Sequence, residues 1–187
     1  MLDILEQSKN QKKVIGIWLY GSEDGFWSGI VKDFNDELVT LQHYTKYGKP
    51  DGLVIEKLTN IESIDFDDDY SKAMNYLIRH GDELDLIEKY DFEISNNDRW
   101  QHEILGNLIG NKDLIARIQV SSNNYYCGLV EWADEDHLIL NTVGKEGQDL
   151  GKSVYRIDDI TAIRVNDLDN RKRLLLYHWR QSKKETK

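Results

Sequence analysis

Cysteine and proline are almost missing from this chain: Cys127 and Pro50 are single occurrences among 187 residues. One thiol cannot close an internal disulfide, so a disulfide-stapled scaffold is excluded and a reducing cytoplasm is expected. Long apolar runs are absent too. None approaches the roughly 18–20 residues of a membrane span, and the opening MLDILEQSKN lacks the basic-then-apolar layout of a secretory signal. Positive charge is short: 24 Lys+Arg stand against 34 Asp+Glu, a net charge of −10. Such a chain is repelled by phosphate, which argues against generic coating of DNA or of an anionic membrane. The expectation is a cytoplasmic protein without a membrane partner, long enough for one medium domain or two small ones of about 70–90 residues.

What the chain does contain is a repeat. Displaced by 99 residues, Gly29–Asp68 lies on Gly128–Asp167 without a gap, and nine pairs are identical: Gly29/Gly128, Val31/Val130, Leu41/Leu140, Lys46/Lys145, Gly48/Gly147, Gly52/Gly151, Ile61/Ile160, Ile64/Ile163 and Asp68/Asp167. Chance does not place three glycines in register with an apolar alternation. Upstream the offset becomes 100, through Ile4/Ile104, Leu5/Leu105, Lys12/Lys112 and Ile15/Ile115.

Each copy reads alike. A short amphipathic helix (Leu2, Ile4, Leu5; Ile104, Leu105, Leu108) precedes strand one, Val14–Tyr20 and Leu114–Val120. Polar turns follow, Gly21–Gly25 and Ser121–Asn124, rich in residues that accept positive φ. Strand two is Phe26–Phe34 or Tyr125–Ala133, and strand three Leu38–His43 or His137–Thr142. A glycine-containing excursion, which holds Pro50 where it breaks no ladder, leads to strand four, Gly52–Leu58 or Gly151–Ile157. Strand five is Ile61–Phe66 or Ile160–Val165, and helices are expected over Tyr70–Ile78 and Asn170–Trp179. Short, β-branched, loosely alternating strands suit a small barrel or sandwich.

Helix plus five bent strands is the layout of a Greek-key barrel, and a glycine in strand two relieves crowding at its corner. Gly29-Ile30-Val31 with Asn35–Leu41, and Gly128-Leu129-Val130 with Asp134–Leu140, echo the first motif of the Sm-like family. Leu58–Ile64 and Ile157–Ile163 echo its second. In these motifs the chain resembles a tandem of Sm-like small β-barrels. The resemblance implies a mainly β fold with short helices, an internal duplication of a five-stranded barrel, and association with RNA. The family's RNA site has an asparagine before strand three and a basic residue in the second motif. Asn35 is a counterpart in copy one, but copy two carries Asp134, and Thr59-Asn60 and Asp158-Asp159 replace the basic pair.

Candidate sites are few. His43, His80, His102, His137 and His178 stand singly, none at metal-ligand spacing to another His or Cys. Cys127 aligns with Ser28 and reads as a small buried filler, with nothing to place a base beside it. No catalytic residue, metal or cofactor is expected. The acidic run Asp65–Asp69 lacks the glycine and glutamate a calcium loop would need, and reads as a helix N-terminus, as do Asp167 and Asp169. The aromatic pairs Phe26/Tyr125 and Trp27/Tyr126 open strand two, one of each pair facing the core. Tyr44 and Tyr47 interleaved with Lys46 and Lys49 could stack bases, or simply pack their own loop.

Charge is uneven. Residues 81–110 hold two cations against eight carboxylates, whereas residues 111–187 have a net charge of +1. Arg171, Lys172, Arg173, Arg180, Lys183, Lys184 and Lys187 concentrate at the end, as a phosphate footprint or as a solvated helix end. The expected organisation is repeat one over residues 1–80, an acidic linker over 81–99 and repeat two over 100–187. In the linker, Asp82–Glu88 is expected to be helical, with Leu84, Ile87 and Tyr90 facing a barrel. Two functions fit a chain without catalytic residues. One is an RNA-associated binding module using Asn35, Tyr44, Lys46, Tyr47, Lys49, Arg171, Lys172, Arg173 and Arg180. The other is a protein-interaction or assembly module without nucleic-acid binding. Homo-oligomers through strand edges are compatible with both.

Overall fold

The computed structural model describes residues 1–21, 25–86, 99–121 and 124–185, the side chain of Glu185 excepted. The chain divides into two compact units, Met1–Asp85 and Leu86–Lys187. Among the described residues no helix is long and apolar enough to cross a membrane.

The first unit runs α1 (Leu2–Gln11), β1 (Ile15–Leu19), β2 (Trp27–Phe34), β3 (Leu38–Tyr44), β4 (Pro50–Lys57), a 3-10 turn (Leu58–Asn60), β5 (Ile61–Phe66) and α2 (Asp69–His80). The second repeats it with α3 (Trp100–Leu108), β6 (Ala116–Val120), β7 (Asn124–Ala133), β8 (His137–Val143), β9 (Asp149–Arg156), a 3-10 turn (Ile157–Asp159), β10 (Ile160–Val165) and α4 (Leu168–Glu185). The strands form two antiparallel sheets of matching order, β4-β3-β2-β1-β5 and β9-β8-β7-β6-β10. The expected mainly β fold is present, but α4, expected over Asn170–Trp179, runs from Leu168 to Glu185 and is not short. The expected closure is absent: β4 and β5, like β9 and β10, lie at opposite edges of an open sheet. One short 3-10 turn carries the chain from each fourth strand to the fifth, which pairs with the first, and among the described strands both edges keep an unpaired side.

Bends recur at matching places. The register between second and third strands shifts at Val31/Asp33 and at Val130/Trp132, and that between third and fourth at Gln42/Tyr44 and Asn141/Val143. Gly29 and Gly128 lie one bulge earlier, where an added Cβ would meet the backbone carbonyl of Gln42 or Asn141. Glycine is needed there for close approach of two backbones. Gly48 and Gly147, with φ of 76° and 75°, lie against the backbone of α2 and α4 at Leu77 and Leu176. They combine a left-handed turn with helix packing.

Strand pairing corrects the upstream alignment. Ile15 pairs with Gly29 and Phe66, whereas Ala116, not Ile115, pairs with Gly128 and Val165. A one-residue slip sends a side chain to the other face of a sheet. Accordingly Ile15 and Ala116 sit in the main cores, while Ile115 joins Cys127 and Val143 in a smaller cluster against Leu174 and Tyr177 of α4. The first core gathers Leu5, Ile15, Ile17, Val31, Val39, Leu41 and Ile61, and the second has the matching set around Leu105, Leu108, Ile118 and Val130. Each such buried side chain contributes about 1.5–3 kcal/mol.

Pro50 is not in the connecting loop but opens β4, opposite Tyr44. The first position of an edge strand tolerates a residue with no N–H. Asp68 and Asp167 cap α2 and α4, accepting from the N–H groups of Ser71 (3.0 Å) and Asn170 (2.8 Å). Gly81–Asp85 form a 3-10 turn after α2, with Leu84 buried. The segment expected to continue there through Ile87 and Tyr90 lies outside the described residues, as do Ser22–Asp24, Ser122, Asn123 and Lys187.

Candidate functional site

The loop after β3 is a tight turn that binds itself. Thr45 and Lys49 are joined by a backbone bond of 2.9 Å, and the Thr45 hydroxyl accepts from the N–H groups of Tyr47 and Lys49. The Lys46 ammonium stands 4.9 Å from the Tyr47 ring centroid. Lys49 reaches the 3-10 turn after α2, bonding Asp85 at 2.9 Å and Asp82 at 3.0 Å. Its hydrogen bonds to the Asp85 and Asp82 carboxylates hold the ammonium above the ordinary lysine range. Lys46, Tyr47 and Lys49 are therefore neighbours, with Tyr44 just before them at the end of β3.

Asn35 lies at the other end of β3, about 20 Å away along the strand. Its side-chain oxygen accepts from the N–H groups of Glu37 and Leu38, both at 2.8 Å. Asp134 builds the same turn in the second unit, accepting from His137 (2.6 Å) and Asp136 (2.8 Å), and these backbone bonds hold its carboxyl below the ordinary range. Both residues shape a turn.

In α4 the cations bond carbonyls of their own unit. Arg171 donates to Asn166 (2.6 Å), Arg173 to Val143 (3.0 Å) and Arg180 to Glu146 (2.7 Å). Lys172 is only 7% exposed and lies 3.7 Å from the Glu146 carboxylate. Arg173, Lys172 and Arg180 fasten the β8–β9 connection, the task that Lys49 performs in the first unit from the opposite side. Beyond them Lys183 and Arg180 stand over the Trp179 ring, at 3.7 and 5.4 Å.

The aromatics that open the second strands divide differently in the two units. Phe26 packs between Trp18 (4.8 Å) and Tyr70 (5.3 Å), over Gly16, while Trp27 is the exposed partner, edge-on to His43. In the second unit Arg117 occupies the position of Gly16 in the strand register. There Tyr125 is exposed beside the Arg117 guanidinium (4.3 Å), and Tyr126 turns in against Tyr155. A side chain where glycine stood removes the seat for the first aromatic.

Each histidine is held locally: His43 by the Ser28 carbonyl, His80 by Glu83, His102 by the Glu135 carbonyl, His137 beside Asp134, and His178 by the Lys112 carbonyl. No group of three metal-ligating side chains occurs among the described residues. Burial pushes the Cys127 thiol up, away from the reactive thiolate form.

What the sequence motifs did not single out are the sheet edges. Leu53 and Ile55 on β4 are 59% and 64% exposed, and Leu150 and Val154 on β9 are 63% and 62% exposed. The two strands have the same burial pattern, and among the described strands nothing pairs with their outer side. Alternation carried the signal: in each fourth strand one set of alternate side chains faces away from the core. Compared with family models, with curated proteins and with solved structures, the chain matches none.

Proposed function

We propose that this chain is a non-enzymatic binding module, built of two Sm-like units, that assembles with protein partners through the edges of its sheets. The observation that carries the reading is the recurrence, in both units, of an edge strand with large apolar side chains exposed: Leu53 and Ile55 on β4, Leu150 and Val154 on β9. An edge strand offers unpaired N–H and C=O groups to another chain, and apolar side chains beside them favour the pairing. The duplicated helix-and-five-strand layout, with a glycine in each second strand, supports the Sm-like part. The net charge of −10 and the engagement of Lys49, Arg173 and Arg180 by groups of their own units favour protein over nucleic acid.

A second reading, RNA association, draws on the cation–aromatic pairs Lys46/Tyr47 and Lys183/Trp179, surfaces on which a base could stack. Purification of the full chain from its cells, with native mass and the ratio of absorbance at 260 and 280 nm read on one peak, separates the two. The expected result is a complex of protein mass alone that the paired changes Leu53→Lys and Leu150→Lys dissolve. Nucleic acid in the peak, released by salt and lost on Lys46→Glu with Lys183→Glu, would overturn it in favour of RNA.

A further inference from the structure

Four strands edge the two sheets, and three of them are guarded. Natural edges are blunted by charged side chains in mid-strand. β9 has Lys152 between Leu150 and Val154, β5 has Glu62 and Asp65 within its six residues, and β10, with Arg164 next to its end, exposes no large apolar side chain. On β4 the protective residues stand only at the ends, Pro50 and Asp51 at one and Glu56-Lys57 at the other. Between them Leu53-Val54-Ile55 has no charge, and its two outward side chains are more than half exposed.

We infer that β4 pairs antiparallel with β4 of a second copy of this chain, about a twofold axis at Val54. The inference rests on the edge-assembly reading above and names its partner and register. Opposite residues in an antiparallel pair share a face. With Val54 opposite Val54, Leu53 lies opposite Ile55 of the other copy, twice by symmetry, and every central pair is apolar. The same register carries Lys57 to the end of the ladder where Asp51 of the other copy lies, so opposite charges meet at both ends. A shift of two residues loses this: it sets Lys57 against Leu53, or Asp51 against Ile55. β9 cannot do the same, because the register that matches Leu150 with Val154 stacks Lys152 on Lys152, and like charges directly opposite destabilise. With the core-side residues on one face, pairing β4 with β9 gives at most two apolar pairs, Ile55 on Val154 and Val54 on Tyr155, and that register sets Lys57 opposite Lys152. A self-complementary strand produces a closed, isologous dimer.

The test is light scattering of the full-length protein over roughly a hundredfold concentration range, beside cysteine cross-linking under mild oxidation. The expected species has the mass of two chains, against 21.9 kDa for one. Leu53→Lys with Ile55→Lys, both at exposed positions, should return it to one chain with an unchanged circular dichroism spectrum. Val54→Cys should give a covalent dimer, while Leu53→Cys and the wild type, whose only thiol is the buried Cys127, should not. A protein that stays at one chain throughout overturns the inference. So does a dimer that survives the β4 changes but is lost on Leu150→Lys with Val154→Lys, an outcome that leaves edge assembly standing. Cross-linking through Leu53→Cys as strong as through Val54→Cys overturns the register.

Discussion

Gly29 and Gly128 are the residues on which each second strand turns. Both face a backbone carbonyl at a distance no Cβ can share, and the neighbour is main chain, which has nowhere to retreat. Gly29→Ala is expected to cost about 1–3 kcal/mol, the range for overpacking, read as a lower urea midpoint of the first unit. The turn before each third strand offers a matched pair. Asn35 and Asp134 accept the same two backbone bonds, but only Asp134 titrates. Its folded carboxyl lies below the ordinary value of 3.8, so its contribution is complete above that value and is lost as pH falls through the folded pKa. Asp134→Asn should keep the turn, as Asn35 does in the first unit, and flatten the acid limb of the second unit's stability curve. A urea midpoint followed from neutral pH to below 3.8 measures it. An unchanged acid limb would show that other carboxylates dominate.

Among the elements, cations tie the connections between third and fourth strands to the segment after each sheet, from the connection itself in the first unit and from the helix in the second. Lys49 ties the first to Asp82 and Asp85, and Arg173 and Arg180 tie the second to α4. Because the Lys49 pairs are exposed to solvent, their loss should be felt locally. Lys49→Gln is expected to speed amide hydrogen exchange in Gly81–Asp85 while leaving β1–β3 protected. Arg180→Gln should cost about 1–2 kcal/mol, since its bond to the Glu146 carbonyl is charge-assisted and half-buried. The exchange of residues 144–148 should rise with it. No comparable rise is expected on Lys183→Gln, whose side chain lies over Trp179.

At the scale of the molecule, each unit has its own core, its own sheet and its own covering helices. A fragment of residues 1–86 should therefore fold alone, with dispersed amide resonances and a cooperative urea transition. A fragment that stays unstructured would mean that the first core needs the second. The same duplication explains how much could be read early. The repeat, the strand positions, the helix caps and the glycines at bends were legible because each rests on local patterning: alternation, turn chemistry, or a missing Cβ. The offset in strand one was not. Ile15/Ile115 is the better match of letters, but pairing partners set the register, and Ala116 is the true counterpart of Ile15.

The candidate site shows the same division. By itself the sequence determined a duplicated, mainly β chain with helices and an acid excess, because periodicity and composition act within a few residues of each position. It could not decide whether the strands close, whether Lys49 and the α4 cations face outward, or which strand becomes an edge. Those depend on which backbone and side-chain groups meet across tens of residues. Only the tertiary structure joined Lys49 to Asp82 and Asp85, turned Arg173 and Arg180 onto carbonyls, and left Leu53 and Ile55 exposed on an edge strand.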